Sequence, residues 1–126
     1  MTKIKTLLQL AALAALALAP AAAAKDGDVR ATGTCTGASS SKIKLGARDG
    51  GIEAELEVDE NRNGSTWRVK LKDNSKLAFK GKATTHAPSG SFSIERRIDD
   101  LAGSDRVVGI AKNRQSGERC QAGATI

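Results

Sequence analysis

The chain has 126 residues, 27% of them charged, and a formal net charge of +6 at pH 7. One Trp and two Phe are its whole aromatic complement, so recognition by stacked rings is not expected and the core must be mainly aliphatic. One histidine and two cysteines cannot fill a zinc or copper ligand set if the cysteines are bonded to each other.

Residues 1–24 have the composition of a secretory signal peptide. Lys3 and Lys5 precede the apolar run TLLQLAALAALALA, and a short alanine run leads up to Lys25. We predict cleavage after Ala24, which leaves one secreted domain over residues 25–126 with no transmembrane segment; a retained membrane anchor is the alternative. The mature chain would carry 18 Lys and Arg against 14 acids, a net charge of +4.

Apolar and polar residues alternate through the rest of the chain with the period of a β-strand. Turn-forming Gly, Asn, Asp and Ser residues separate eight such segments: 28–35, 41–48, 51–59, 66–72, 77–83, 91–98, 106–113 and 118–126. This spacing predicts an all-β, antiparallel β-sandwich of seven or eight strands.

Two neighbouring turns predict strand register. A two-residue turn at Asp49-Gly50 sets Ile43 opposite Leu56 and Lys42 opposite Glu57. Apolar residues then face apolar ones and acids face bases, a match that a slip of one residue would destroy.

The same reasoning applies to Asn63-Gly64, the strongest short hairpin signal. A two-residue turn there sets Val58 opposite Val69 and Glu57 opposite Lys70, which predicts a three-strand meander over residues 41–72.

The next two connections are predicted to differ from each other. A hairpin at residues 73–75 would bring Arg68 opposite Lys80, so the like charges favour a crossing to the second sheet at this point. The segment NRQSGE, residues 113–118, instead predicts a hairpin loop before the last strand.

The segment DENRNG also resembles the first half of a calcium-binding loop, with Asp59, Asn61, Asn63 and Gly64 in a D-x-N-x-N-G pattern. The twelfth loop position is Lys70, where that loop needs a bidentate glutamate, so a helix-loop-helix calcium site is excluded. A looser oxygen-rich site at Asp59, Glu60 and Asn61 is the alternative to a solvated turn. Asn63 also begins an Asn-x-Ser acceptor, which requires a eukaryotic secretory route to be glycosylated.

The two cysteines, Cys35 and Cys120, are predicted to form one disulfide, because an exported protein meets an oxidising compartment. The bond would close most of the domain into one loop. A free thiol pair and a zinc site are the alternatives.

The sequence contains no strong pattern of catalytic residues. His86 is the one histidine and lies in TTHAPSG without a recognisable nucleophile or acid partner. The acids of residues 53–59 are matched by facing bases, and no aromatic platform for a sugar accompanies Asp99 and Asp100. We therefore expect a protein that is not an enzyme and binds no cofactor or metal.

The later strands carry basic residues away from that acidic stripe: Lys80, Lys82, Arg96, Arg97, Arg106 and Lys112. If several share a face they could bind an anionic polymer or surface, and Lys80, Lys82, Arg96 and Arg97 are the candidate anion-binding residues. The alternative is that they keep a sheet soluble and protect its edges.

Four stretches carry a family resemblance: GTC (33–35), EVDxNRxGxTWRV (57–69), APSGSFSI (87–94) and AxNxxSGExC (111–120). They resemble a group of small exported bacterial proteins with an immunoglobulin-like or fibronectin-III-like sandwich and no assigned activity. The resemblance spans nearly all of residues 25–126 and implies an immunoglobulin-like domain.

The sequence thus predicts an exported, monomeric, non-enzymatic binding or structural module with an unknown extracellular partner, protein or polymer. An electrostatic binder of anionic polymers or cell surfaces ranks second, without specificity for nucleic acid. A small hydrolase, or a protease inhibitor that presents the loop Thr84 to Gly90, ranks below both.

Overall fold

The computed structural model describes residues 27–126, so the predicted signal peptide lies outside the described residues. This part of the chain forms nine β-strands: β1 (Val29–Thr32), β2 (Thr34–Cys35), β3 (Ser40–Arg48), β4 (Gly51–Asp59), β5 (Thr66–Asp73), β6 (Lys76–Thr84), β7 (Ser91–Asp99), β8 (Arg106–Asn113) and β9 (Arg119–Thr125).

The strands form two antiparallel sheets, ordered β1-β3-β4-β7 and β2-β9-β8-β5-β6. The prediction of an all-β antiparallel sandwich with one disulfide is confirmed. The strands number nine rather than seven or eight, because the first predicted segment divides between the two sheets as β1 and β2.

Gly33 makes that division possible. Its N–H donates to the carbonyl oxygen of Ser41 over 2.8 Å. A Cβ at this position would collide with the carbonyl oxygen of Gln121 and the hydroxyl of Ser41. Only glycine allows so close an approach where the chain passes from one sheet to the other.

The core lies between the sheets and consists of the inward positions of both. Trp67 is fully buried beside Phe92, with their ring centroids 6.2 Å apart. Aliphatic residues fill the rest, including Ile43, Leu45, Ile52, Leu56, Val58, Val69, Leu71 and Val107.

The β3–β4 hairpin has the predicted register. Ile43 pairs with Leu56 and Lys42 with Glu57, whose charged groups lie 3.0 Å apart. Asp49 has a φ of 48° and Gly50 a φ of 79°, the left-handed conformation that a two-residue hairpin turn of this type requires at both positions.

The predicted pairing of β4 with β5 is wrong. β4 pairs with β7, where Val58 lies opposite Phe92, and β5 lies in the other sheet between β6 and β8. The segment between β4 and β5 is therefore a crossing from one sheet to the other.

Long-range hydrogen bonds explain why Asn63-Gly64 is not a hairpin turn. The N–H of Glu60 donates to Gly90 over 3.1 Å, and the N–H of Gly64 donates to Thr85 over 2.7 Å. Gly64 has a φ of 81°, but the other left-handed residue of the segment is Asn61, at 55°, and not Asn63. A turn of the predicted type needs a positive φ at both central residues.

The predicted crossing at residues 73–75 is also wrong. β5 and β6 form a hairpin there, with Asn74 at a φ of 49° and Ser75 at 71°. The pairing places Arg68 opposite Lys82 and Lys70 opposite Lys80, so like charges do meet across these strands. The predicted β8–β9 hairpin is confirmed.

The disulfide joins Cys35 to Cys120, as predicted. The two residues lie directly opposite each other on β2 and β9. The bond therefore fastens the short strand β2 to the end of the chain within one sheet.

Candidate functional site

The outward side of the five-stranded sheet is strongly basic. The strand registers place eight cations there: Arg68, Lys70, Lys72, Lys80, Lys82, Arg106, Lys112 and Arg119. Seven of these side chains are exposed and Lys72 is half-buried. We call this surface the basic face; the strand positions that contribute to it within residues 27–126 include no carboxylate.

Four of the cations form an uninterrupted row across the strands. Arg68 on β5 pairs with Lys82 on β6 and with Lys112 on β8, and Lys112 pairs with Arg119 on β9. Strands lie about 4.8 Å apart, so the row extends over about 14 Å. A second, shorter row beside it consists of Lys70 and Lys80.

The outward side of the four-stranded sheet has a different charge pattern. Lys44 lies 3.6 Å from Glu55, and Arg48 lies 2.9 Å from Asp28. All four ion pairs found among residues 27–126 involve this sheet, and none involves a member of the basic face. Opposite charges thus alternate on one side of the sandwich, while a single sign covers the other.

The predicted anion-binding residues do not all share one surface. Lys80 and Lys82 lie on the basic face. Arg97 lies on the other sheet, beside Glu53 of the partner strand, and donates to the carbonyl oxygen of Asp49. Arg96 lies where β7 approaches β6, with its guanidinium 4.8 Å above the ring of Phe79.

Four members of the basic face escaped the sequence prediction, namely Arg68, Lys70, Lys72 and Arg119. The wrong β4–β5 register placed the first three opposite the acidic stripe of β4, which made them appear neutralised. Alternation alone correctly indicates that they point outward together. Strand parity would also have separated Arg96 from Arg97, because consecutive residues of a strand point to opposite faces.

A concave pocket lies beside the row, at the turn from β8 to β9. Its volume is about 490 Å³, and its lining includes Arg68, Lys112, Arg114, Gln115 and Ser116. We call it the turn pocket. Its lining contains three cations and no carboxylate.

Hydrogen bonds from Asn113 hold the turn pocket in shape. The Asn113 side chain is buried, and its Oδ1 accepts from the N–H of Gln115 at 2.8 Å and of Ser116 at 3.0 Å. Its Nδ2 donates to Glu60 over 3.3 Å. The N–H of Arg114 donates to Thr66 over 3.1 Å. The turn is therefore tied to both the crossing segment and β5.

Other reactive groups are already engaged or isolated. Within the described range, one cluster has metal-ligand spacing, made of Cys35, Glu118 and Cys120, but its sulfur atoms are bonded to each other. His86 is exposed, with Nδ1 3.2 Å from the carbonyl oxygen of Ala87. Thr85, at the base of the predicted inhibitor loop, is buried, and its hydroxyl donates a hydrogen bond to the carbonyl oxygen of Arg62.

Residues 27–126 contain no helix long and apolar enough to cross a membrane. No family model, curated protein or solved structure matches the chain. The resemblance to immunoglobulin-like exported proteins therefore stays a prediction.

Proposed function

We propose that the protein is an exported, monomeric, non-enzymatic binder of anionic polymers, and that the basic face is its binding surface. The observation that supports this most directly is the row Lys82, Arg68, Lys112 and Arg119, which continues across four strands without an intervening acid. A polymer with regularly spaced negative groups could contact several of these cations at once.

The segregation of charge favours binding over a role in solubility alone. Like charges placed directly opposite each other on neighbouring strands destabilise a sheet, by about 0.2–1 kcal/mol for each pair. The four-stranded sheet shows that this chain can keep a surface polar with alternating charges. The basic face lacks the stabilisation that cross-strand pairs of opposite charge would provide along the row. This is consistent with an anionic partner that supplies the negative charge when it binds.

The chemistry of the face favours a polymer recognised by charge. Trp67 and Phe92 are buried, and Phe79 is half-buried on the inward side of β6, opposite the buried Leu71. The outward strand positions therefore offer no ring on which a base or sugar could stack.

The outward apolar residues Val108 and Ile110 are half-buried between the cations, and within residues 27–126 Leu77, opposite Lys72, is the one large apolar side chain that is well exposed, at 52%. Attachment to a lipid surface depends on several apolar side chains that insert into it.

The disulfide supports a site of action outside the cytoplasm, because such bonds persist in oxidising compartments. Anionic polysaccharides and phosphate-containing polymers of the cell exterior are then the accessible partners.

The test is retention of the purified protein on an immobilised sulfated polysaccharide, measured over a range of salt concentrations. The wild type is compared with the triple variant Arg68→Gln/Lys82→Gln/Lys112→Gln. The matched control is Arg30→Gln/Lys42→Gln/Lys44→Gln, which removes the same number of charges from the other sheet. The control breaks exposed ion pairs that contribute little to stability.

We expect the basic-face variant to elute at clearly lower salt and the control to elute with the wild type. Each lost contact to the polymer should reduce the steepness of the plot of log affinity against log salt concentration by about one unit. For the triple variant we therefore expect a slope that is shallower by about 2–3 units. Equal loss of retention in the two variants would mean that net charge alone is responsible, and would refute the basic face. Wild-type elution at low salt would refute the function itself.

A further inference from the structure

The geometry points to a specific subsite: the turn pocket anchors the polymer by taking one of its tetrahedral oxyanion ester groups, a phosphate or a sulfate. This inference rests on the proposed function, because it deepens the same surface. It assigns a chemical preference to Arg68, Lys112 and Arg114, whereas the row alone would accept any anion.

The pocket is in the right place to act together with the row. Arg68 and Lys112 belong both to the row and to the lining of the turn pocket. Arg114 follows two residues later on the same chain, just past the end of β8. A polymer that lies along the row therefore passes the mouth of the pocket and can place one group inside it.

The donors come from three different structural elements. Arg68 lies on β5, Lys112 lies on β8, and Arg114 lies in the turn between β8 and β9. Ser116 adds a hydroxyl whose oxygen already accepts from the N–H of Glu118 at 3.1 Å, which leaves its hydrogen available to a ligand. The lining thus offers two guanidinium groups, an ammonium group and a hydroxyl.

This donor arrangement suits a tetrahedral group better than a planar one. A phosphate or sulfate ester presents non-bridging oxygens in several directions, while a carboxylate presents two oxygens in one plane. The guanidinium fork of arginine can hold two oxygens at once, and the compact ammonium of lysine acts as a point charge. Two guanidinium groups therefore have more oxygens to bind on a tetrahedral ligand than on a carboxylate.

The pocket is also preorganised. Asn113 fixes the turn through the N–H groups of Gln115 and Ser116, and its carbonyl oxygen accepts from Gly117 at 3.0 Å. A site that is already shaped loses less conformational entropy when the ligand binds. Its volume of about 490 Å³ exceeds that of a single oxyanion, which leaves room for the attached part of the polymer.

The experiment compares affinities for three soluble polymers of matched length: polyphosphate and dextran sulfate, which carry tetrahedral groups, and polyglutamate, which carries carboxylates. The test variants are Arg114→Lys and Arg68→Lys, which keep the charge and remove the guanidinium fork. The control is Arg106→Lys, because Arg106 belongs to the basic face but does not line the turn pocket.

We expect the wild type to prefer at least one tetrahedral polymer over polyglutamate by about tenfold, the effect of one charge-assisted hydrogen bond. Arg114→Lys and Arg68→Lys should remove most of that preference, and Arg106→Lys should keep it. The polymer that binds more tightly, polyphosphate or dextran sulfate, identifies the preferred oxyanion as phosphate or sulfate, and either result supports the pocket.

The failures are distinguishable. Binding of all three polymers without preference, or a preference that survives Arg114→Lys, would overturn the turn pocket and leave the basic face intact. Absence of binding to every polymer would overturn the proposed function together with the inference.

Discussion

Asp73 and Asp105 lie side by side in the interior, with exposed fractions of 3% and 1%. Neither oxygen of the Asp73 carboxyl accepts a hydrogen bond from a donor group within residues 27–126. Burial, followed by the contact with Asp105, raises the pKa of Asp73 to about 7. The same contact, helped by the N–H of Leu101, lowers the pKa of Asp105.

This pair predicts a pH-dependent stability. A folded-state pKa raised from 3.8 to about 7 means that the folded protein binds more protons than the unfolded chain between those values. The free energy of unfolding therefore falls as the pH rises from about 4 to about 7, as linkage requires. The exposed Asp100 adds negative charge beside the pair and acts in the same direction.

Asp73→Asn should remove much of this dependence. At pH 8 we expect the variant to be more stable than the wild type by about 1–3 kcal/mol, since it no longer leaves a buried charge unsatisfied. At pH 4 the advantage should disappear. Urea denaturation at both pH values measures the effect, and the exposed Asp99→Asn is the control for charge. Equal effects of the two substitutions at pH 8 would contradict the raised pKa of Asp73.

Loss of the disulfide should cost much of the stability. The bond links residues 85 positions apart, so it restricts most of the unfolded chain. The chain-entropy model gives about 4.5 kcal/mol for a loop of this length. We expect reductant to lower the free energy of unfolding by about 3–5 kcal/mol, measured by urea denaturation. The variant Cys35→Ala/Cys120→Ala is the control and should not respond to reductant.

The crossing between β4 and β5 should depend on Thr85, which is buried between two segments. Its hydroxyl donates to Arg62 over 2.5 Å and accepts from the N–H of Ser65 at 2.9 Å. Thr85→Val keeps the shape but leaves both backbone groups unsatisfied, at a cost of about 1–3 kcal/mol. Hydrogen exchange should show loss of protection at Ser65.

The exposed Thr84→Val is the matched control for Thr85, because its hydroxyl contacts another exposed hydroxyl, that of Thr66. It should change the free energy of unfolding by less than about 0.5 kcal/mol, as is usual on a surface. If Thr85→Val were equally mild, the crossing would not depend on these bonds.

Local signals predicted one turn of this fold and missed the next for an identifiable reason. Asp49-Gly50 and Asn63-Gly64 are equivalent hairpin signals in sequence. The second does not form a hairpin because acceptors far along the chain hold its segment: the carbonyl oxygen of Thr85 accepts from the N–H of Gly64, and that of Gly90 accepts from the N–H groups of Glu60 and Arg62. Long-range acceptors of this kind leave no pattern in the local sequence.

The β5–β6 hairpin was missed through a different rule. The unfavourable energy of like charges across a strand pair was taken to exclude this hairpin, yet Lys70 lies opposite Lys80 in the structure. The rule concerns tenths of a kcal/mol on a solvated surface, which turn geometry and core burial outweigh. Strand alternation, by contrast, agrees with the structure, because Trp67, Val69 and Leu71 occupy every second position of β5 and all three are buried.

The cationic row predicts an inverse relation between stability and binding. Arg68 lies between Lys82 and Lys112, so Arg68→Glu converts two repulsive cross-strand pairs into attractive ones. We expect the free energy of unfolding to rise by about 0.5–1.5 kcal/mol at low salt, with a smaller gain at high salt where surface charges are screened. Retention on the sulfated polysaccharide should fall sharply in the same variant.

Two controls isolate the row. Arg68→Gln removes the charge without reversing it and should give intermediate values for both stability and retention. Lys44→Glu reverses a charge on the other sheet, where it would face Glu55, and should lower stability with little effect on retention. If Arg68→Glu destabilised the protein as much as Lys44→Glu, Arg68 would not lie between uncompensated cations. A gain in stability with full retention would mean that the polymer binds elsewhere.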